Sequence, residues 1–217
     1  MRLVLDIVLP CLDEAAALPW VLSHVPSVTR AIVVDNGSSD GSAELARSLG
    51  ADVVECEERG YGAACHAGLV AATADVVAIC DCDASIDPSV ALDFASLLVE
   101  CADLVVGRRV PTGRGAWPFP ARLANVELAR RVRRRTGADL RDVGPLRVAR
   151  RAGLLALGIQ DRRSGYPVET VLRAAEAGWR IVAADVAYTP RVGRSKVSGT
   201  LRGSLQAVRD MTTVLAR

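Results

Sequence analysis

Histidine and lysine are almost missing from this chain: His24 and His66 are its only imidazoles, and Lys196 is the only lysine among 27 basic residues. That scarcity excludes catalysis built on several histidines and a histidine-rich metal site. Long apolar runs are missing as well. The longest, LVLDIVLP near the start and DVVAIC at 75–80, are strand-length and far below the roughly 20 residues of a membrane span. No basic region followed by a small-residue cleavage site opens the sequence, so the chain is expected in the cytoplasm. The six cysteines show no CxxC spacing, and Cys65, His66, Cys80 and Cys82 match no zinc-ligand pattern, so reduced, core-forming thiols are expected. Aromatic residues are only 4% of the chain and no nucleic-acid motif occurs, so no nucleic-acid partner is expected.

What is present is apolar residue in quantity and charge in an uneven distribution. Half of the 217 residues are hydrophobic, enough to bury one generous α/β core, and a single domain over 1–217 is the expectation. The net charge of +2 conceals a division. Residues 1–100 carry four Arg against sixteen Asp and Glu, net −12, which leaves 23 basic and nine acidic residues, net +14, in 101–217. An acidic half that tolerates cations is thus joined to a half that meets anions.

Valine- and isoleucine-rich runs at 3–9, 31–35, 51–54, 75–80 and 103–106 alternate with stretches of helical spacing, which reads as β-α-β-α-β. Because the runs are continuous rather than alternating, both faces are expected to be buried, in a mostly parallel sheet with helices on both sides. Asp40 or Ser42 is expected to cap a helix over 43–49, and Asp87-Pro88 to start the next. Beyond 107 the alternation breaks. A basic helix is expected to end at Gly137, with further helices at 150–157 and 167–178, a last strand at 180–188 and a closing helix from 199.

Ligands of open parallel sheets bind beyond the carboxyl ends of the strands. Four successive strand ends here carry polar loops: PCLDEA at 10–15, DNGSSDGS at 35–42, ERGYGAACHAG at 58–68 and DCDASIDP at 81–88. Asp81 and Asp83 would repel one another at a buried strand end unless a hard cation balances them. Mg²⁺ or Mn²⁺ suits such a pair, since either binds one or two carboxylates together with substrate phosphates. Further on, residues 108–151 hold thirteen Arg against Glu127, Asp139 and Asp142. With Trp117, Phe119 and the recurring Ala124, Leu128 and Val132, this basic stretch has the composition of a helix lying on an anionic membrane.

Taken in order, these segments resemble the inverting family-two glycosyltransferases of the GT-A fold, and within them the branch of dolichyl-phosphate mannose synthases and polyprenyl-phosphate glucosyltransferases. The likeness rests on Pro10, Asp13 and Glu14; on VVDNGSSDGS; on Gly60, Gly62, Ala64 and Gly68; and on Asp81 and Asp83. It continues through Gly107 and Arg109, then Asp142, Gly144, Pro145 and Arg147, then Glu169, and finally Arg191, Gly193, Ser195 and Lys196. Asp13 stands where the family has Asn, and Ser85 where the mannose synthases have Gln.

The resemblance implies a nucleotide-sugar-binding half over 1–107, with Pro10, Leu12, Glu14, Asp35, Gly62, Asp81, Cys82 and Asp83 around the donor, and Asp81 and Asp83 on Mg²⁺ or Mn²⁺. It implies an acceptor-side half over 108–217, with Arg109, Asp142, Arg147 and Glu169 in catalysis and Arg122, Arg191, Arg194, Ser195 and Lys196 on an anionic or lipid-phosphate acceptor. Asp142 or Glu169 is the expected general base for a hydroxyl acceptor, whereas a phosphate needs none. A peripheral contact with the inner face of the membrane follows from the same reading. Two other readings stand beside it: transfer to a soluble hydroxyl acceptor, and a module that binds a nucleotide sugar or anionic lipid without turnover. A dinucleotide oxidoreductase is excluded, because its glycine fingerprint belongs after the first strand, where PCLDEA stands.

Overall fold

The computed structural model describes residues 4–113, 115–193 and 201–216, the side chains of 201–205 excepted. The chain runs β1 (Leu5–Cys11), α1 (Leu18–Ser23), β2 (Arg30–Asp35), α2 (Ser42–Ser48), β3 (Asp52–Glu55), α3 (Tyr61–Ala71), β4 (Val76–Cys80), α4 (Ala91–Glu100) and β5 (Leu104–Pro111). It continues with α5 (Phe119–Thr136), β6 (Leu146–Arg150), α6 (Arg151–Ala156), α7 (Tyr166–Glu176), β7 (Ile181–Tyr188) and α8 (Leu201–Ala216). One seven-stranded sheet results, in the order β3-β2-β1-β4-β6-β5-β7. All strands run parallel except β6, which lies antiparallel to both neighbours.

β6 is the element that periodicity does not disclose. It is five residues long and carries Arg147 at its second position, so a buried charge interrupts its apolar pattern. It joins the two parts of the sheet, with Ala78 opposite Val148 on one side and Val105 opposite Val148 on the other. β5 also outruns its apolar stretch and reaches Pro111, because residues 107–111 pair with β7.

Alternate residues of β1 serve two cores. Leu5, Ile7 and Leu9 meet Leu18 and Val21 of α1 and Phe94 and Leu98 of α4, while Val8 meets Cys65 and Leu69 of α3 on the opposite face. Gly68 lets α3 lie close to the sheet, since a Cβ there would meet a Val8 methyl at 2.2 Å. α5 ends at Gly137, whose left-handed φ of 73° suits a residue without a side chain. The cysteines are free thiols, and Cys11, Cys65, Cys80 and Cys82 lie in the core as expected. No helix of the described residues is long and apolar enough to cross a membrane.

One carboxylate holds the amino-terminal edge of the sheet. Asp6, buried within β1, accepts from Arg30 Nη2 on β2 at 2.8 Å and from the backbone N–H groups of Thr73 and Ala74 at 2.7 and 3.0 Å. Burial raises its pKa, but Arg30 and the two amides outweigh burial and leave it below the ordinary 3.8. A depressed carboxyl stabilises the fold above its unfolded value and ceases to do so as pH falls through the folded one. Asp6→Asn should therefore cost about 1–2 kcal/mol near neutrality. In chemical denaturation series, that gap between parent and variant should close toward strongly acidic pH.

Candidate active site

The loops after β1 and β2 are tied together by short polar side chains. Asp13, in left-handed backbone at φ 51°, accepts from Ser39 N at 2.7 Å, and its own N–H donates to Ser38 Oγ at 2.9 Å. Glu14 N donates to Ser42 Oγ, and Ala15 N to Asp40 Oδ2. Asp40 and Ser42 thus join two loops; Gly41 holds the N-cap position of α2, and Asp40 Oδ1 accepts from Ser42 N, the first N–H of that helix, at 3.0 Å, so of the two expected caps it is Asp40 that serves. Asp35 turns its carboxylate onto Gly37 N and Ser38 N, each at 3.1 Å, which shapes the loop beside half-buried Pro10 and Leu12. Asn36, unmarked by any sequence signal beyond the turn, reaches the third loop by donating to Glu58 O and accepting from Gly60 N.

The glycines of the third loop serve protein contacts. A Cβ on Gly62 would meet Asp161 O at 2.7 Å and one on Gly60 would meet Arg162 O at 2.1 Å. Gly62 N and Ala63 N donate to the carbonyls of Arg163 and Arg162. The start of α3 is therefore packed against residues 161–163, and Gly62 lies against that loop.

Between these glycines stands Tyr61, the residue the sequence reading passed over. Its hydroxyl donates to Asp81 Oδ1 at 2.9 Å and accepts from Arg147 Nη2 at 2.8 Å. Arg147 is 1% exposed, gives Nη1 to Gly144 O at 2.6 Å, and has no described partner for Nε. Burial pushes the Asp81 carboxyl up to about 6; Asp83 adds to the rise, and Arg147, Tyr61 and Arg109 restrain it. Cys82, between the two carboxylates in sequence, turns its thiol into the core.

Asp83 is held by Ser85, whose N–H and hydroxyl both donate to Oδ1, at 3.0 and 2.5 Å. Its Oδ2 lies 3.3 Å from Arg191 Nη1, and the same guanidinium gives Nη2 to Glu14 Oε1 at 2.7 Å. The chain after β7 is stitched to this loop by Thr189 N to Ser85 O and Val192 N to Asp83 O. Arg191, expected on the acceptor, thus balances two carboxylates expected on the donor. Arg194, Ser195 and Lys196 lie outside the described residues.

On the other side, Asp142 binds Arg109 through both oxygens, with Nη2 to Oδ1 at 2.7 Å and Nε and the backbone N–H to Oδ2, each at 2.9 Å. Arg109 also reaches Asn125 Oδ1 and lies 4.1 Å from the Trp117 ring centre and 5.5 Å from that of Tyr188. Burial of Asp142 is opposed by Arg109 and by the Gly144 amide, and its pKa falls. Glu169 accepts from Gln160 N, Asp161 N and Arg173 Nε at 3.1, 2.6 and 2.6 Å, and it too is lowered against its burial. A general base works best with a pKa near the operating pH. Asp142 is engaged by Arg109, and Glu169 by Arg173 and by the 160–161 backbone of the loop that packs against Gly60 and Gly62. Arg122 is exposed on α5 and is not brought into this cluster.

Acidic loops at the carboxyl ends of one sheet are thus faced by arginines from the later part of the chain. The family model described as glycosyl transferase family 2 matches residues 6–157, and the chain belongs to that family. An uncharacterized glycosyltransferase of Mycobacterium tuberculosis is 49% identical over 211 residues, covering 97% of each chain. A dolichyl-phosphate hexose transferase of Haloferax volcanii is 31% identical over 196 residues, covering 89% of this chain and 86% of its own. The fold is also that of the Mycobacterium tuberculosis glucosyl-3-phosphoglycerate synthase solved with Mn²⁺, uridine diphosphate and glucosyl-3-phosphoglycerate. The TM-score is 0.76 at 20% identity, over 98% of this chain and 78% of that one.

Tyr61→Phe removes the hydroxyl that Asp81 and Arg147 share. It should cost about 1–3 kcal/mol of stability, because buried polar groups lose a partner, and should weaken donor binding together with turnover. Unchanged donor affinity, read by isothermal titration, would remove Tyr61 from the site.

Proposed function

We propose that this glycosyltransferase moves a hexose, with inversion, from a nucleotide-sugar donor of the UDP-glucose or GDP-mannose type to a phosphate-bearing acceptor, a polyprenyl phosphate foremost. The observation that carries the reading is the hydrogen-bonded line from Asp81 through Tyr61 to Arg147, which brings a donor-side carboxylate and a buried cation together. In this reading Pro10, Leu12, Glu14 and Asp35 receive the base and ribose. Asp81 and Asp83 hold Mg²⁺ or Mn²⁺. Burial and the neighbouring Asp83 both raise the Asp81 carboxyl, a repulsion that a divalent cation between them would relieve, its remaining ligands coming from diphosphate oxygens and water. When bound, such a cation neutralises charge on the departing diphosphate.

Arg109 and Arg147 supply fixed positive charge beside that leaving group or the incoming acceptor. A phosphate oxygen attacks the anomeric carbon without a base, which agrees with Asp142 and Glu169 being engaged by guanidinium and amide groups. A hydroxyl acceptor would need one of them released. A dolichyl-phosphate hexose transferase and a glucosyl-3-phosphoglycerate synthase, both similar to this chain, are named for acceptors that bear phosphate, which supports an anionic acceptor.

Donor binding is expected to need a divalent cation. Excess EDTA should abolish transfer, and Asp83→Ala should lower kcat/KM by about a hundredfold or more while the circular dichroism spectrum is retained. Full turnover in EDTA would overturn the metal assignment. The product made from an α-linked donor should carry a β-anomeric proton coupling by NMR; an α product would overturn inversion.

A further inference from the structure

α5 turns the wrong side to the core for the membrane stripe that its sequence suggests. Val132 is fully buried and Leu128 packs against the core, alongside buried Asn125 and Ala129. The opposite surface carries Phe119, Leu123 and Val126, exposed by 76%, 59% and 52%. Their spacing of four and three residues places them on one face, and the same face continues through the exposed Arg130, Arg133 and Arg134. Among the described residues Arg130 pairs with Glu127, and Arg133 with Asp139 at 4.0 Å, in surface pairs that hold a side chain weakly.

The apolar end of this face adjoins the site. Asn125, one residue before Val126, receives Arg109 Nη2 from the buried side of the helix, and Trp117, just before α5, lies under the Arg109 guanidinium. The geometry points to an anionic lipid surface as the partner of α5: Phe119, Leu123 and Val126 enter the headgroup boundary, Arg130, Arg133 and Arg134 meet lipid phosphates, and the Arg109 side of the site opens toward the membrane. A second copy of the chain suits the face poorly, because an antiparallel two-fold contact would set these arginines against the apolar end of the same face and bury their charge without partners. Three apolar side chains with three cations form the paired weak signals that give reversible, salt-sensitive attachment. The orientation rests on the lipid-phosphate reading above; the attachment is tested apart from it.

The full chain is sedimented with phosphatidylcholine vesicles with or without phosphatidylglycerol, at low and high salt. Two variants are compared, Phe119→Ser/Leu123→Ser/Val126→Ser and Arg130→Gln/Arg133→Gln/Arg134→Gln. The parent should bind the anionic vesicles alone and release them in high salt. The arginine variant should bind on the order of a hundredfold more weakly and the serine variant at least about tenfold more weakly, with unchanged circular dichroism. A parent that ignores anionic vesicles, or either variant binding as the parent does, overturns the proposal. So does concentration-dependent dimerisation of the parent that the serine variant loses. Transfer to a short-chain polyprenyl phosphate in detergent separates the two readings: transfer without vesicle binding removes the membrane face alone, and vesicle binding without transfer removes the acceptor assignment alone.

Discussion

Carboxylates crowded beyond the ends of a parallel sheet repel one another, and the site depends on how that repulsion is relieved. Asp81, Asp83 and Glu14 come from two loops of the acidic half, and two guanidinium groups from the basic half answer them: Arg147 through Tyr61, and Arg191 directly. Neither arginine is a near neighbour in sequence. Arg147 arrives on the reversed strand β6 and Arg191 on the chain leaving β7, so the charge balance exists only once the sheet is complete. The division of charge along the sequence becomes a junction of charge in space.

A second arginine cluster is built differently. Arg109 is paired with Asp142 and stacked over Trp117, which fixes a planar cation with hydrogen bonds on its edge and a ring on its face. Such a group meets a phosphate without first losing rotational freedom. Glu169 lies at a greater remove, bonded to the 160–163 loop that packs against the start of α3.

The strands flanked by helices on both sides were legible because burial on both faces leaves unbroken apolar runs, as in β1 and β4. The loops at their ends were legible because like charges so close together need a reason. β6 was not, since Arg147 occupies a buried strand position and its partner, a tyrosine hydroxyl 86 residues earlier, leaves no mark in local periodicity. The side of α5 that faces the core was misread for a related reason. Leu128 and Val132 fit a stripe with Ala124 by spacing, but Asn125 is buried in place of Ala124 because Arg109 draws it inward. The partners of Asp142 and Glu169, Arg109 and Arg173, depend on which cations the fold brings near, and sequence order gives only the second, four residues on along α7.

The place of β6 also bears on how the chain is made. β4 and β5 are separated in the sheet by a strand that follows both, so during synthesis each has an open hydrogen-bonding edge until residues 146–150 emerge from the ribosome. An unpaired edge next to an apolar surface is a template for mispairing. The nascent chain carries that exposure across the whole of α5, whose 18 residues are translated before the missing strand.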